Sequence, residues 1–183
     1  MPKKTDKEDK FPNIEKELLK KRNIFICEQI DDKLAKTVIQ QLMYLDSVNS
    51  KKEIVIWINS GGGYVTDGLA IIDTMKQIKS PITTVIKGHA CSMAGEISIN
   101  GNKRKMTRHS VWMAHDMAGG VWGDYTTKVL DRAEHLKYVQ NMLHNNLKVN
   151  TKLNKNDLKK AQNGELWLTP EQCMKKGIVD EVI

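Results

Sequence analysis

The stretch EIVIWINSGGGYVTDGLAIIDTMKQIK, Glu53 to Lys79, changes its periodicity in the middle, and that change decides the fold. Its first seven residues are nearly all apolar, the pattern of a strand covered on both faces. Three glycines, Gly61 to Gly63, interrupt the run, and from Thr66 onward the spacing is that of an amphipathic helix. The same alternation recurs on either side. Upstream, NIFICEQ (Asn23 to Gln29) is short and β-rich. DDKLAKTVIQQLMYLDSV follows it, with an Asp at its start and Leu34, Val38, Leu42 and Leu45 on one helical face. Downstream come two further strand-like runs, ITTVIKG after Pro81 and HSVWMAH from His109 to His115. Between Asp124 and about Asn150 the chain carries its longest helical pattern, with Val129, Ala133, Leu136, Val139 and Leu143 in phase. TPEQ, Thr169 to Gln172, is a capping box with proline at the first helical position, and Gly177 supplies a stop before the last strand, IVDEVI. Strand–helix–strand units with short connections imply parallel strands joined by right-handed crossovers.

Nothing in the composition divides the chain. Its 183 residues suffice for one α/β domain, expected over residues 15–183, behind a polar and mobile segment at 1–14. The N-terminal MPKKTDKEDKF lacks the apolar core of a signal peptide, and no run approaches the ~20 apolar residues of a membrane-spanning helix. Cys27, Cys91 and Cys173 are odd in number and far apart, which argues against a disulfide framework and a zinc site and fits a reducing cytoplasm. The net charge of +7 raises nucleic acid as a partner. The lysines are interleaved with acids, however, and the basic cluster NKRKMTRH (Asn102 to His109) has no aromatics to stack on bases. Neither nucleic acid nor membrane is the expected partner.

Two short stretches carry chemistry. In INSGGGYVTDG, the glycines let the backbone approach a ligand and aim N–H groups at it. The Walker lysine is missing, and Thr66 stands where a dinucleotide-binding loop needs its third glycine, leaving a peptide groove or an oxyanion hole. In GHACSMAGE, Gly88 to Glu96, a strand turns into a helix at Ser92. Such a serine is ordinarily a helix cap. It is also the position of a nucleophile exposed at a strand end near a helix N-terminus. Cys91 is the rival nucleophile, but neighbours on an extended chain point in opposite directions, and Cys91 is the one expected to be buried. A nucleophilic serine needs a base. His115, ending a strand before a loop, is the leading candidate, with His89 second. His109 is about 20 Å away on the same strand at ~3.3 Å per residue, while His135 and His144 read as surface or packing residues of the long helix.

Taken together, LLKKRNIFICEQIDD, INSGGGYVTDGLAIIDTMKQIK, GHACSMAG, SVWMAHDMAGGVWG and LTPEQCMKKGIVDEV resemble, in order and spacing, the proteolytic subunit of Clp protease (the ClpP family), a serine peptidase family of the crotonase-like superfamily. The resemblance runs from about Glu15 to the C-terminus. It implies an α/β fold, a crotonase/ClpP-like repeated β-α-β superhelix, with a protruding helix-plus-strand handle at about 116–150. Carried over by position, it implies Ser92 as nucleophile, His115 as general base and Glu165 as the third triad member, where the family has aspartate. The backbone N–H groups of Gly63 and Met93 would form the oxyanion hole, with Gly62, Tyr64, Met117 and Ala118 binding substrate. The implied activity is hydrolysis of unfolded polypeptides inside a homo-heptameric ring or double ring, fed by an AAA+ unfoldase, without a metal or organic cofactor. Gly61 stands in place of the family's proline, and Asp116-Met117 in place of Gln-Pro. With Glu165, these departures read as those of a divergent or phage-type member. Two alternatives follow from them: a peptidase dedicated to one partner, as in viral head maturation, or a catalytically silent structural subunit of such a ring.

Overall fold

The computed structural model describes residues 12–119 and 125–183. Among them, a mixed sheet is flanked by helices, and its main path runs β1-β2-β3-β4-β7 with every pair parallel. These strands span Asn23–Ile26 (β1), Ile54–Ser60 (β2), Ile82–Cys91 (β3), Lys103–Met106 (β4) and Glu181–Val182 (β7). The crossover helices α2 (Asp32–Val48) and α3 (Val65–Gln77) follow the sequence pattern. Asp31 caps α2 by accepting the Leu34 N–H at 2.9 Å, and Leu34, Ala35, Val38, Leu42 and Leu45 are buried beneath it. Ile24, Ile26, Ile54, Ile56 and Ile58 meet these helices in one continuous core.

The expectation that β2 is covered on both faces does not hold in the single chain. Its burial alternates: Val55 and Trp57 are only half-buried, Asn59 is exposed, and Phe25 of the neighbouring β1 is 42% exposed. The helices cover one face, and Val and Trp on the other give the strand its uniformly apolar sequence.

Strand β3 is the organising element. Its first half, Thr83 to Ile86, pairs with β4, and its second half, His89 to Cys91, pairs in parallel with β5 (Val111–His115). Between the halves sits Gly88 at φ +99°, and a Cβ there would lie 2.4 Å from Asn59 Oδ1. Both the backbone angle and the close approach require glycine. Strand β6 (Glu165–Leu168) then runs antiparallel to β5.

Besides β6, three elements escaped the sequence reading. Helix α1 (Ile14–Lys20) starts with an Asn13 cap, and helix α6 (Lys155–Asn163) has a capping box between Asn154 and Asp157 yet buries only Ala161. Helix α1 is only 7 residues long, and the core side of α6 is just Leu158 and Ala161, too few apolar residues to mark a helix in the sequence. The basic cluster 102–109 contains β4, whose charges are matched within the chain. Lys103 and Lys105 reach Glu181 at 3.2 and 3.0 Å, and Arg104 reaches Asp180 at 2.6 Å. The C-terminal helix α7 (Pro170–Lys175) is as read: Thr169 and Gln172 cap it reciprocally, and Gly177 follows at φ +63°. The long helix α5 spans Thr126–Asn150. The mobile-segment expectation at 1–14 falls mostly outside the described residues, as does 120–124 of the expected handle.

Candidate active site

Ser92 stands where β3 passes into the short helix α4 (Met93–Ser98). It occupies the cap position but makes no capping bond. Its backbone lies at φ +53°, ψ −126°, a region that costs a non-glycine residue on the order of 1–3 kcal/mol. Two backbone bonds hold it there: its N–H donates to the Met113 carbonyl at 2.9 Å, and its carbonyl accepts the Glu96 N–H at 3.1 Å. This sharp turn points the hydroxyl outward, and Ser92 Oγ lies 2.8 Å from His115 Nε2. The pairing follows from strand register. Cys91 of β3 is level with Met113 of β5, so the residue after one and the second residue after the other meet at the same sheet end.

Cys91 points the other way and is 5% exposed. Burial, joined by the charge of Glu165, pushes its thiol above the ordinary range, so it is poorly suited to form a thiolate. The choice between adjacent nucleophiles is thus made by geometry and by electrostatics together.

The glycine loop lies directly on this corner. A Cβ on Gly62 (φ +100°) would sit 2.8 Å from Ser92 Cβ and 3.0 Å from Met93 N, and one on Gly63 would sit 2.1 Å from the Ile30 carbonyl oxygen. Gly61 has nothing within 4 Å of such an atom, so two of the three glycines are dictated by contact and the third is not. Gly62 N–H donates to Ser60 Oγ and Tyr64 N–H to the Ile30 carbonyl. Between them, the Gly63 N–H meets no acceptor among the described residues, and Met93 N–H, the first of α4, has no acceptor within its helix. Both residues line one small cavity, about 100 Å³, with Ser92 and His115. Met117 and Ala118 line it too; Gly62 lies against Ser92, whereas Tyr64 is not part of the lining and is 61% exposed.

Glu165 is the direct cross-strand partner of His115 in the β5–β6 pair. Residues so opposed share a sheet face, with Cβ atoms roughly 4.5–5.5 Å apart. Its carboxylate nevertheless accepts the Trp167 indole N–H at 2.7 Å. Among the described residues, no carboxylate bonds to His115 Nδ1. Asp116, next in sequence, turns instead to α5, where its Oδ1 lies 2.8 Å from His144 Nε2. His144 is therefore a tie between α5 and the loop after the candidate base, a role its helical position alone did not reveal. Gln140 supports the same loop by accepting the Met117 N–H at 2.9 Å.

One cleft residue was missed altogether. Glu96, in α4, is 7% exposed, and its Oε2 accepts a hydrogen bond from Asn146 Nδ2 of α5. Burial pushes its carboxyl up to about 7, against the downward pull of Asn146. A lone acid in the otherwise small and apolar run MAGEIS was the available signal. Among the described residues, no three His, Cys, Asp or Glu side chains gather as metal ligands, and no helix is long and apolar enough to cross a membrane.

A strained serine paired with histidine, with one unengaged N–H on the glycine loop and another at the start of α4, is the arrangement a serine hydrolase requires. Comparison with known proteins narrows the class. The Clp protease family matches residues 6–183. The ATP-dependent Clp protease proteolytic subunits of Streptococcus sanguinis, Streptococcus pyogenes and Streptococcus pneumoniae are each 32% identical over 182 residues, covering 98% of this chain and 93% of theirs. The chain belongs to the Clp protease family.

Proposed function

We propose that this protein is a serine endopeptidase that hydrolyses unfolded polypeptides within a ring of its own copies. The observation that carries the reading is the 2.8 Å approach of His115 Nε2 to the hydroxyl of a backbone-strained Ser92. His115 Nε2 takes the hydroxyl proton as Ser92 Oγ attacks the peptide carbonyl. The negative charge that develops on the carbonyl oxygen is received by the N–H groups of Gly63 and Met93. His115 then protonates the leaving amine, and water repeats the sequence to free the acyl-enzyme. Glu165 is the proposed third member: moving its carboxylate from the Trp167 indole to His115 Nδ1 would fix the tautomer and stabilise the imidazolium. Gly62, Tyr64, Met117 and Ala118 are proposed to hold the peptide backbone.

The relatives are named as subunits of an ATP-dependent protease. On that ground we extend the reading to a homo-heptameric ring or double ring, acting in the cytoplasm and supplied by an AAA+ unfoldase. The stretch from Asp116 through α5 would serve as the handle between rings. A second reading, a peptidase dedicated to one partner protein, is favoured by the buried acid in the cleft, which would narrow the range of acceptable substrates.

The test is intact-mass labelling with a fluorophosphonate, alongside Ser92→Ala and with native mass read on the same samples. One adduct per subunit on the parent and none on the variant is the expected result. An assembled ring that takes no adduct would mean a silent subunit.

A further inference from the structure

Glu96 is the ionisable side chain of the cleft that the proposed chemistry leaves unused. It follows Ser92 by four residues, so it stands one turn further along the same face of α4. Its carboxyl is held from one side only. Oε2 accepts from Asn146 Nδ2, and Asn146 is fixed in turn by Asn100 and Asn150, which donate to its Oδ1 at 3.1 and 2.8 Å. Oε1 has no donor among the described residues. It is also not sealed in the interior, because the one fully buried side-chain polar atom without a partner there is Asn100 Oδ1. Glu96 lines the cavity that holds Ser92 and His115, and its unpaired oxygen keeps some exposure at that otherwise buried side chain.

Two further features define what the cavity accepts. Gly63 and Met93, whose N–H groups are the proposed oxyanion donors, both line it, so a side chain entering it belongs to the residue whose carbonyl is attacked. Val65, Met93 and Leu143 supply apolar walls, and the volume of about 100 Å³ suits an unbranched stem better than a bulky ring. An apolar sleeve ending in a carboxylate with one open oxygen matches an alkyl chain ending in a cation. An apolar side chain would leave that oxygen buried without a donor.

We propose that Glu96 is the floor of the pocket for the residue preceding the scissile bond and selects lysine or arginine there. The assignment rests on the serine peptidase reading and names its specificity. Burial of Glu96 weakens its ionisation in the empty cleft, and an entering ammonium or guanidinium restores it.

The test uses peptidyl diphenyl phosphonates, whose phosphorus an active-site serine attacks with loss of phenol, identical except for Lys, Leu or Glu as the residue mimicking the one before the scissile bond. Second-order labelling rates of the full chain are read by intact mass, with the fluorophosphonate as a side-chain-independent control. The Lys probe should label Ser92 at least about tenfold faster than the Leu probe, with Glu slowest. Glu96→Gln, which keeps the shape and can still meet Asn146, should bring the Lys-to-Leu ratio down to about one. A wild-type preference for Leu, or a Lys preference that survives in Glu96→Gln, overturns the role of Glu96 and leaves the peptidase standing. Failure of every probe, the fluorophosphonate included, overturns the peptidase reading and this one with it. The wild-type ratio decides the matter even if the variant folds poorly.

Discussion

The two walls of the cleft are held by different forces. Ser92 and His115 ride on β3 and β5, where strand register and a core containing Trp112, Ala114, Ile97 and Ala90 fix them. The opposite wall is α5, which buries Val139, Leu143, Asn146 and Leu147 out of 25 residues and meets the site largely through side-chain hydrogen bonds: Asn146 to Glu96, His144 to Asp116, Gln140 to Met117. Packing fixes the reacting atoms, and polar ties shape the space around them. Close packing tolerates almost no added volume, whereas a hydrogen bond can be lost for about 1 kcal/mol.

The comparison breaks most sharply at the glycine loop. Gly62→Ala should lower kcat/KM by roughly 10²–10³-fold, because its Cβ would displace the Ser92 corner and the oxyanion donors together. Gly61→Ala, one residue away with no atom to meet, should leave activity near wild type and stability within about 0.5 kcal/mol. Equal losses in the two variants, read with a fluorogenic peptide, would show that the loop is not the rigid element described. Glu165→Ala should follow, with a kcat loss of about 10²-fold. Retention of full activity would remove Glu165 from the triad; the loss is smaller than for a buried acid because water reaches this carboxylate.

The polar wall answers to pH. The Glu96 carboxyl is raised to about 7 in the folded chain, from an ordinary 4.5. Between those values the folded state holds a proton that the unfolded state has released, so stability falls as pH rises through this window and levels off above about 7. At roughly 1.4 kcal/mol per unit the full effect is about 3 kcal/mol. Glu96→Gln should abolish this slope and melt higher than wild type at pH 8. Parallel melting curves for the two proteins from pH 5 to 8 would show that the acid is not desolvated. A more modest effect belongs to His144→Ala, which frees Asp116 from α5 and should cost about 0.5–1.5 kcal/mol of stability by denaturant titration, with little change in kcat.

The contrast between the walls also explains what the sequence disclosed. Regular hydrophobic period announces α2 and α3, unbroken apolar runs announce β2 and β3, and the small residues around Ser92 announce the sharp turn, because packing writes itself into composition. Polar ties do not. Glu96, Asn146 and His144 gain meaning only when α4, α5 and the loop after β5 converge from positions some 20–50 residues apart, as in the Asn146–Glu96 pair with a separation of 50. Helix α6 was hidden for a related reason, since its stability comes from caps and from Lys176 reaching Asp157 at 2.6 Å rather than from an apolar stripe. For Glu165, position in sequence located the residue opposite His115, but only the structure could show the Trp167 indole holding its carboxylate.

The division of β3 at Gly88 has a consequence for substitution. The half that joins the five parallel strands carries no reacting group, and the half that does carry one is joined only to β2, β5 and the helix it starts. Strands β1, β4 and β7 make no direct pair with the half of β3 that leads into Ser92, so substitutions on their surfaces should reach the Ser92–His115 distance only indirectly.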